Sequence, residues 1–171
     1  MPKKVYNNIE DYRLIDNGRV CEDVTSVELP AIEHVTSDID AAGMTGVVSM
    51  PNQAKVAAMS FAVSHNNGTN CNRLVDSGTH KMEFRLVRQR YNVPKGRIEH
   101  ESVKYRVTGV YVSTDAGSAE RDNPLGSTEN FSVLRDEKIM NGQTVELVDV
   151  MAGIIRKNGA DTTDEVQALL K

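Results

Sequence analysis

The sequence predicts a mostly β chain folded as a single domain over residues 1–171, with one short helix in the middle and another at the C-terminus. Three observations carry this reading. Apolar residues recur with period two through 56–65, 80–92 and 98–112, the pattern of half-buried strands. The dipeptides Asn17-Gly18 and Asn141-Gly142 lie between apolar runs, the strongest short signal for a two-residue hairpin turn. A length of 171 residues, with 39% hydrophobic and 26% charged side chains, belongs to a globular domain that folds without a metal or disulfide staple.

The elements follow in order. Tyr12–Ile15 and Val20–Cys21 flank the first Asn-Gly turn, and a strand from Val24 to Leu29 stops at Pro30. Residues 33–55 are polar at first, then run through Asp40-Ala41-Ala42-Gly43-Met44-Thr45-Gly46. They suit an extended, projecting loop better than a simple hairpin. In 56–65, Ala57, Met59, Phe61 and Val63 share one side, and Asn66-Asn67-Gly68 ends the strand. Asn70–Ser77 makes one or two helical turns capped by Thr69 or Asn70, with Leu74 and Val75 buried. In 80–92, Met82, Phe84 and Leu86 oppose Lys81, Glu83 and Arg85, and Pro94-Lys95-Gly96 turns into a strand over 98–112. Runs this long exceed what a small sandwich needs and suit a sheet that continues into a larger assembly. Residues 113–128 have turn composition and form a second projecting loop. Asn130–Ile139 and Gln143–Val150 make the second Asn-Gly hairpin, and Gly153–Lys157 a short strand. A terminal helix starts at Thr163, with Val166, Leu169 and Leu170 on one face. With no Trp and only 5% aromatic residues, Val, Leu, Ile, Met and Ala are expected to fill the core.

Composition also removes function classes. No apolar run reaches membrane-spanning length, and the polar, charged start MPKKVYNNIEDY has no secretory h-region. Cys21 and Cys71 form no CxxC pair and read as ordinary thiols. His34, His65, His80 and His100 have no metal-ligand spacing, and no nucleophile elbow, P-loop or dinucleotide fingerprint is present. The reading is therefore of a protein that is not an enzyme and takes no cofactor or metal. Glu99 and Glu101 share a strand face with no nucleophile or His beside them. The net charge is −4, but residues 80–98 carry six bases and one acid. That stripe meets either phosphates or the acidic remainder of another copy of the chain, and the scarcity of stacking aromatics favours the second. Long strands with exposed edges, and no chemistry, point to self-assembly.

Ser26-Val27-Glu28-Leu29-Pro30-Ala31-Ile32, followed by Ala42-Gly43-Met44-Thr45-Gly46, resembles the amino-terminal signature of the major tail tube proteins of contractile-tailed, P2-type phages. Asn141-Gly142 leading into Val145-Glu146-Leu147-Val148-Asp149, then Ile155-Arg156-Lys157-Asn158-Gly159, is similar to their carboxyl-terminal hairpin. Residues 66–78 and 113–128 depart from the family. The resemblance implies a tail-tube-type β-barrel or sandwich whose long strands join a multi-subunit inner barrel. It implies hexameric rings stacked inside a contractile sheath as a conduit for DNA, often with an acidic lumen. The implied partners are the chain itself, sheath, tape measure and baseplate proteins, and DNA in transit without sequence-specific binding. The implied place is the virion, after assembly in the host cytoplasm.

On this reading Asp40, Ala42, Gly43, Met44, Thr45 and Gly46 form an inter-subunit loop, with Met44 as an apolar knob. Arg88 and Arg90 are expected to pair with Glu99 and Glu101, across the hairpin or between subunits. The alternatives are a tube subunit of a phage-derived bacteriocin or secretion system, a nucleic-acid-binding β-barrel using residues 80–98, and a small ligand-binding or enzymatic barrel.

Overall fold

The computed structural model describes residues 3–67 and 69–170. Strand β1 (Lys4–Asp16) turns into β2 (Arg19–Cys21), and β3 (Val24–Glu28), β4 (His34–Ile39), β5 (Val48–Val56) and β6 (Met59–His65) follow. A 3-10 helix (Thr69–Val75) leads to the long strands β7 (Thr79–Asn92) and β8 (Arg97–Asp115). The chain closes with β9 (Ser127–Met140), β10 (Gln143–Asp149), β11 (Ile154–Lys157), β12 (Ala160–Asp161) and helix α1 (Asp164–Leu169). Three of the hairpins turn on Asn-Gly, at 17–18, 141–142 and 158–159, with both residues at positive φ. That is the type I′ geometry, whose twist matches the flanking strands and which Asn and Gly tolerate best.

One ten-stranded antiparallel sheet runs in the order β12-β11-β10-β9-β8-β7-β1-β2. It forks at β9. The first half of β9 pairs with β6, from Ser127 to Val133, and β3 adds to β6; the second half pairs with β10. The fork folds β6 and the 3-10 helix over the faces of β1, β7 and β8. Between them lie Leu14, Phe61, Val63, Leu74, Met82, Phe84, Val107, Phe131 and Val148. The sheet does not close on itself: β2 and β12 remain its ends. Gly109 is required mid-strand because a Cβ there would stand 3.0 Å from the Ser132 carbonyl oxygen, beside a register shift between β8 and β9.

Several expectations are corrected. The middle helix is only a 3-10 turn; Leu74 is buried, but Val75 is exposed. Its expected cap, Thr69 or Asn70, rests on side chains outside those described, as does Gly68 of the preceding turn. The terminal helix forms, but Val166, Leu169 and Leu170 all face solvent. Residues 33–55 are not an extended loop: β4 and β5 pair as a hairpin that forms its own two-stranded sheet. The strand read over 56–65 breaks at Ala57 and Ala58, so Ala57 lies outside β6. The core is not purely aliphatic. All three phenylalanines enter it, and Phe131 meets Phe61, His80 and Tyr111 at centroid distances of 6.3, 5.2 and 6.2 Å. Few aromatics therefore do not mean an aromatic-free core, because each large ring buries more surface than an aliphatic side chain.

Candidate assembly surfaces

The β4–β5 hairpin stands off the main sheet. Its strands pair with each other from His34↔Val56 to Ile39↔Val48. It is anchored at the base, where Ala57 N–H donates to Glu33 O (2.8 Å) and Thr162 Oγ1 donates to Gln53 O (3.3 Å). At its tip lie the loop residues singled out from the sequence. Met44 N–H donates to Ala41 O at 3.0 Å, with Gly43 at φ +94° in the third turn position. That is the place a type II turn reserves for glycine. Gly46 has an ordinary φ and open space around it. Asp40, Ala42, Met44 and Thr45 are exposed. So are the large apolar side chains Val35, Ile39, Val47, Val48 and Met50. An isolated two-stranded hairpin is marginally stable in water, and this one presents apolar side chains along most of its length.

The second surface is a three-stranded ribbon. The first half of β1, the last third of β7 and the start of β8 run past the hydrophobic core. On the core-facing side the apolar series Met82, Phe84, Leu86 continues as Arg88, Arg90 and Asn92. In register, Arg88 lies opposite Glu101 and Arg90 opposite Glu99. Arg88 Nη2 is 2.6 Å from Glu101 Oε2, Arg90 Nη1 3.2 Å from Glu101 Oε1, and Arg90 Nη2 3.3 Å from Glu99 Oε2. Asn141 Nδ2 donates to Glu101 Oε1 at 3.0 Å, and Arg88 also covers the Tyr6 ring at 4.3 Å. Burial pushes the Glu101 carboxyl up, but the Asn141 and Arg88 hydrogen bonds and the Arg charges outweigh it and hold it below the usual range. For Glu99 the Asn92 hydrogen bond acts first, and the net direction is also downward.

Both long edges of this ribbon are open. β2 covers β1 only from Leu14 to Asp16, and β9 covers β8 only from Val103 onward. Among the described residues no strand pairs with the outer edges of Lys4–Arg13 or Arg97–Ser102. On the face away from the core, Val5, Tyr91 and Ile98 are in register across the three strands, and all are exposed. Further along that face, Glu83 is ringed by Arg85, Lys104 and Arg106, while Glu137 meets Arg106 and Arg135. Lys81 and Arg13 share that face by register, so it carries more bases than acids.

Two buried polar clusters were not visible in the sequence, because their members come from distant segments. Ser127 Oγ lies 3.2 Å from His65 Nε2 and donates to Glu129 Oε1 at 3.3 Å, while His65 Nδ1 accepts the Asn67 N–H. His65 therefore has no free nitrogen to accept the serine proton, and the trio is structural. His80 Nδ1 lies 3.1 Å from Asp16 Oδ1, and its Nε2 2.9 Å from Asp76 O. Among the described residues no group of three or more His, Cys, Asp and Glu side chains converges as a metal site would require.

Open sheet edges and an apolar hairpin held only at its base are the features of a chain that associates with others. The chain belongs to the phage tail tube protein FII family, whose sequence model matches residues 7–170. No curated protein matches it significantly. Among solved structures it is similar to a chain of the PVC sheath–tube complex of an extracellular contractile injection system, in the extended state. The TM-score is 0.50 and the identity 13%, over 78% of this chain and 88% of that one. That likeness shows the fold, and the family match shows the class: a structural tube subunit of mostly β architecture. It favours this reading over a nucleic-acid-binding barrel or a small enzyme.

Proposed function

We propose that the chain polymerises into the hollow tube of a phage tail, as hexameric rings that stack within a contractile sheath and conduct DNA during ejection. The observation that supports this best is the β4–β5 hairpin. An arm with a marginal sheet of its own and an apolar surface gains most of its stability by docking on another copy. Met44 and its turn are the docking tip. The open edges of β1 and β8 supply the second contact, by which neighbouring ribbons extend one sheet around the ring. Arg88, Arg90, Glu99 and Glu101 hold that ribbon flat from inside each subunit, and their exposed remainder is available to the adjacent ring. The sheath lies outside, the tape measure protein within during assembly, and the baseplate nucleates growth in the host cytoplasm.

The test is negative-stain electron microscopy of the purified protein at rising concentration, alone and with a baseplate extract as nucleus. Rings or hollow tubes of uniform diameter are expected. Dispersed small particles under both conditions would refute the proposal.

A further inference from the structure

We propose that Cys21 and Cys71 close an intramolecular disulfide when the subunit meets a peroxide, pinning the 3-10 helix to β2. Both are free thiols buried in the same core cluster, although 50 residues apart in sequence. Cys71 Sγ donates to the carbonyl of Glu22, the residue after Cys21, at 2.8 Å, and Arg73, two residues after Cys71, reaches the Cys21 sulfur. Cys21 is the better nucleophile. Burial pushes the Cys21 thiol above its ordinary range, but Arg73 Nη2 lies 3.2 Å from its sulfur and that charge limits the rise. Cys21 also lines an open surface groove with Tyr12, Val20 and Asp23, which gives a small oxidant a route. Burial pushes the Cys71 thiol up to about 12, so it stays protonated and acts second.

The chemistry balances in two steps. The Cys21 thiolate attacks one peroxide oxygen, the O–O bond breaks, and the departing hydroxide takes a proton to become water. Cys21 is left as a sulfenic acid. The Cys71 sulfur then attacks the Cys21 sulfur and gives up its proton, and the sulfenic oxygen leaves as a second water. Two thiols have lost two electrons and two protons, and one peroxide has become two waters.

The experiment treats the native full-length protein with hydrogen peroxide, quenches it with an alkylating agent, and maps peptides without reduction. The expected result is a mass loss of about 2 Da, with one peptide pair joined through Cys21 and Cys71. A rise in Tm of about 5–15 °C, the effect of closing a loop of this length, is expected and should vanish on reduction. In Cys71→Ser the oxidation should stop at a dimedone-reactive sulfenic acid on Cys21, a gain of about 16 Da. Both thiols alkylated after treatment, oxidation of wild-type Cys21 that leaves Cys71 free, or a cross-linked dimer would each overturn the proposal. The wild-type map decides alone if the variant does not fold.

Discussion

At position 136 a carboxylate stands where β9 needs an apolar side chain. Its register partners are Val107 and Val148, both buried, and its Oδ1 has no hydrogen-bond partner among the described residues. Burial, then the nearby charge of Glu146, pushes the Asp136 carboxyl up to about 6. The folded state therefore binds this proton more tightly than the unfolded chain, and stability falls as pH rises from about 4 through 6. We expect wild type to lose about 3 kcal/mol across that window relative to Asp136→Asn, measured by urea unfolding at pH 4 and pH 7.5; parallel curves would refute the assignment. Glu101 has the opposite sign. Its lowered carboxyl contributes stability that is present above the ordinary glutamate range and lost as pH falls. Glu101→Gln should cost about 2 kcal/mol at neutral pH and little at pH 3. The Arg88 and Arg90 pairs were legible because period two puts residues two apart on one face and an obvious turn fixes the register. Asp136 was not. A bulge at Leu134 moves the inward parity of β9 from odd to even positions, and nothing in the local sequence marks it.

Elements were readable where they pack on the core and obscure where they do not. β7 and β8 alternate over their core-packed stretches because one face of each is buried there, and the Asn-Gly turns carry their own backbone chemistry. β4 and β5 are exposed on both faces over most of their length, so selection for burial has left no alternation to detect. Helix α1 misleads in the reverse sense: Val166, Leu169 and Leu170 have core-like spacing, yet they face solvent in the single chain. The hairpin bears the sharper consequence. Met44 lies at its tip, exposed and remote from the core, so Met44→Asp should change monomer stability by less than about 0.5 kcal/mol. The same charge buried in a subunit contact without a partner is severely unfavourable. We expect the variant to keep the wild-type circular dichroism spectrum and Tm while failing to form rings or tubes; normal tubes would show that the hairpin docks elsewhere.

For the molecule as a whole, the decisive property is what the sheet leaves unfinished. A ten-stranded sheet that forks at β9 buries one face against β6 and the 3-10 helix, yet it extends a ribbon beyond that core whose edges no strand covers among the described residues. Isolated, such edges would recruit strands indiscriminately. In the proposed ring, the β8 edge of one copy would meet the β1 edge of the next, and the row Val5, Tyr91, Ile98 would run on into a neighbouring row as a continuous apolar girdle. This arrangement also bears on channel charge. The face carrying that girdle bears Arg13, Lys81, Arg85, Lys104, Arg106 and Arg135 against Asp11, Glu83, Glu137 and Asp149, so it does not by itself supply the acidic lumen implied by the family resemblance. Ile98 ends the row at the open β8 edge and is exposed. Ile98→Lys puts a charge where the next strand must pair, a device that sheet edges use to stay single. The monomer should unfold at the same urea concentration as wild type, because no core contact is lost. Sedimentation velocity should show it staying small at concentrations where wild type forms rapidly sedimenting tubes. Unchanged tube growth would mean that the ring closes without strand pairing at this edge, and would shift the weight of assembly onto the β4–β5 arm alone.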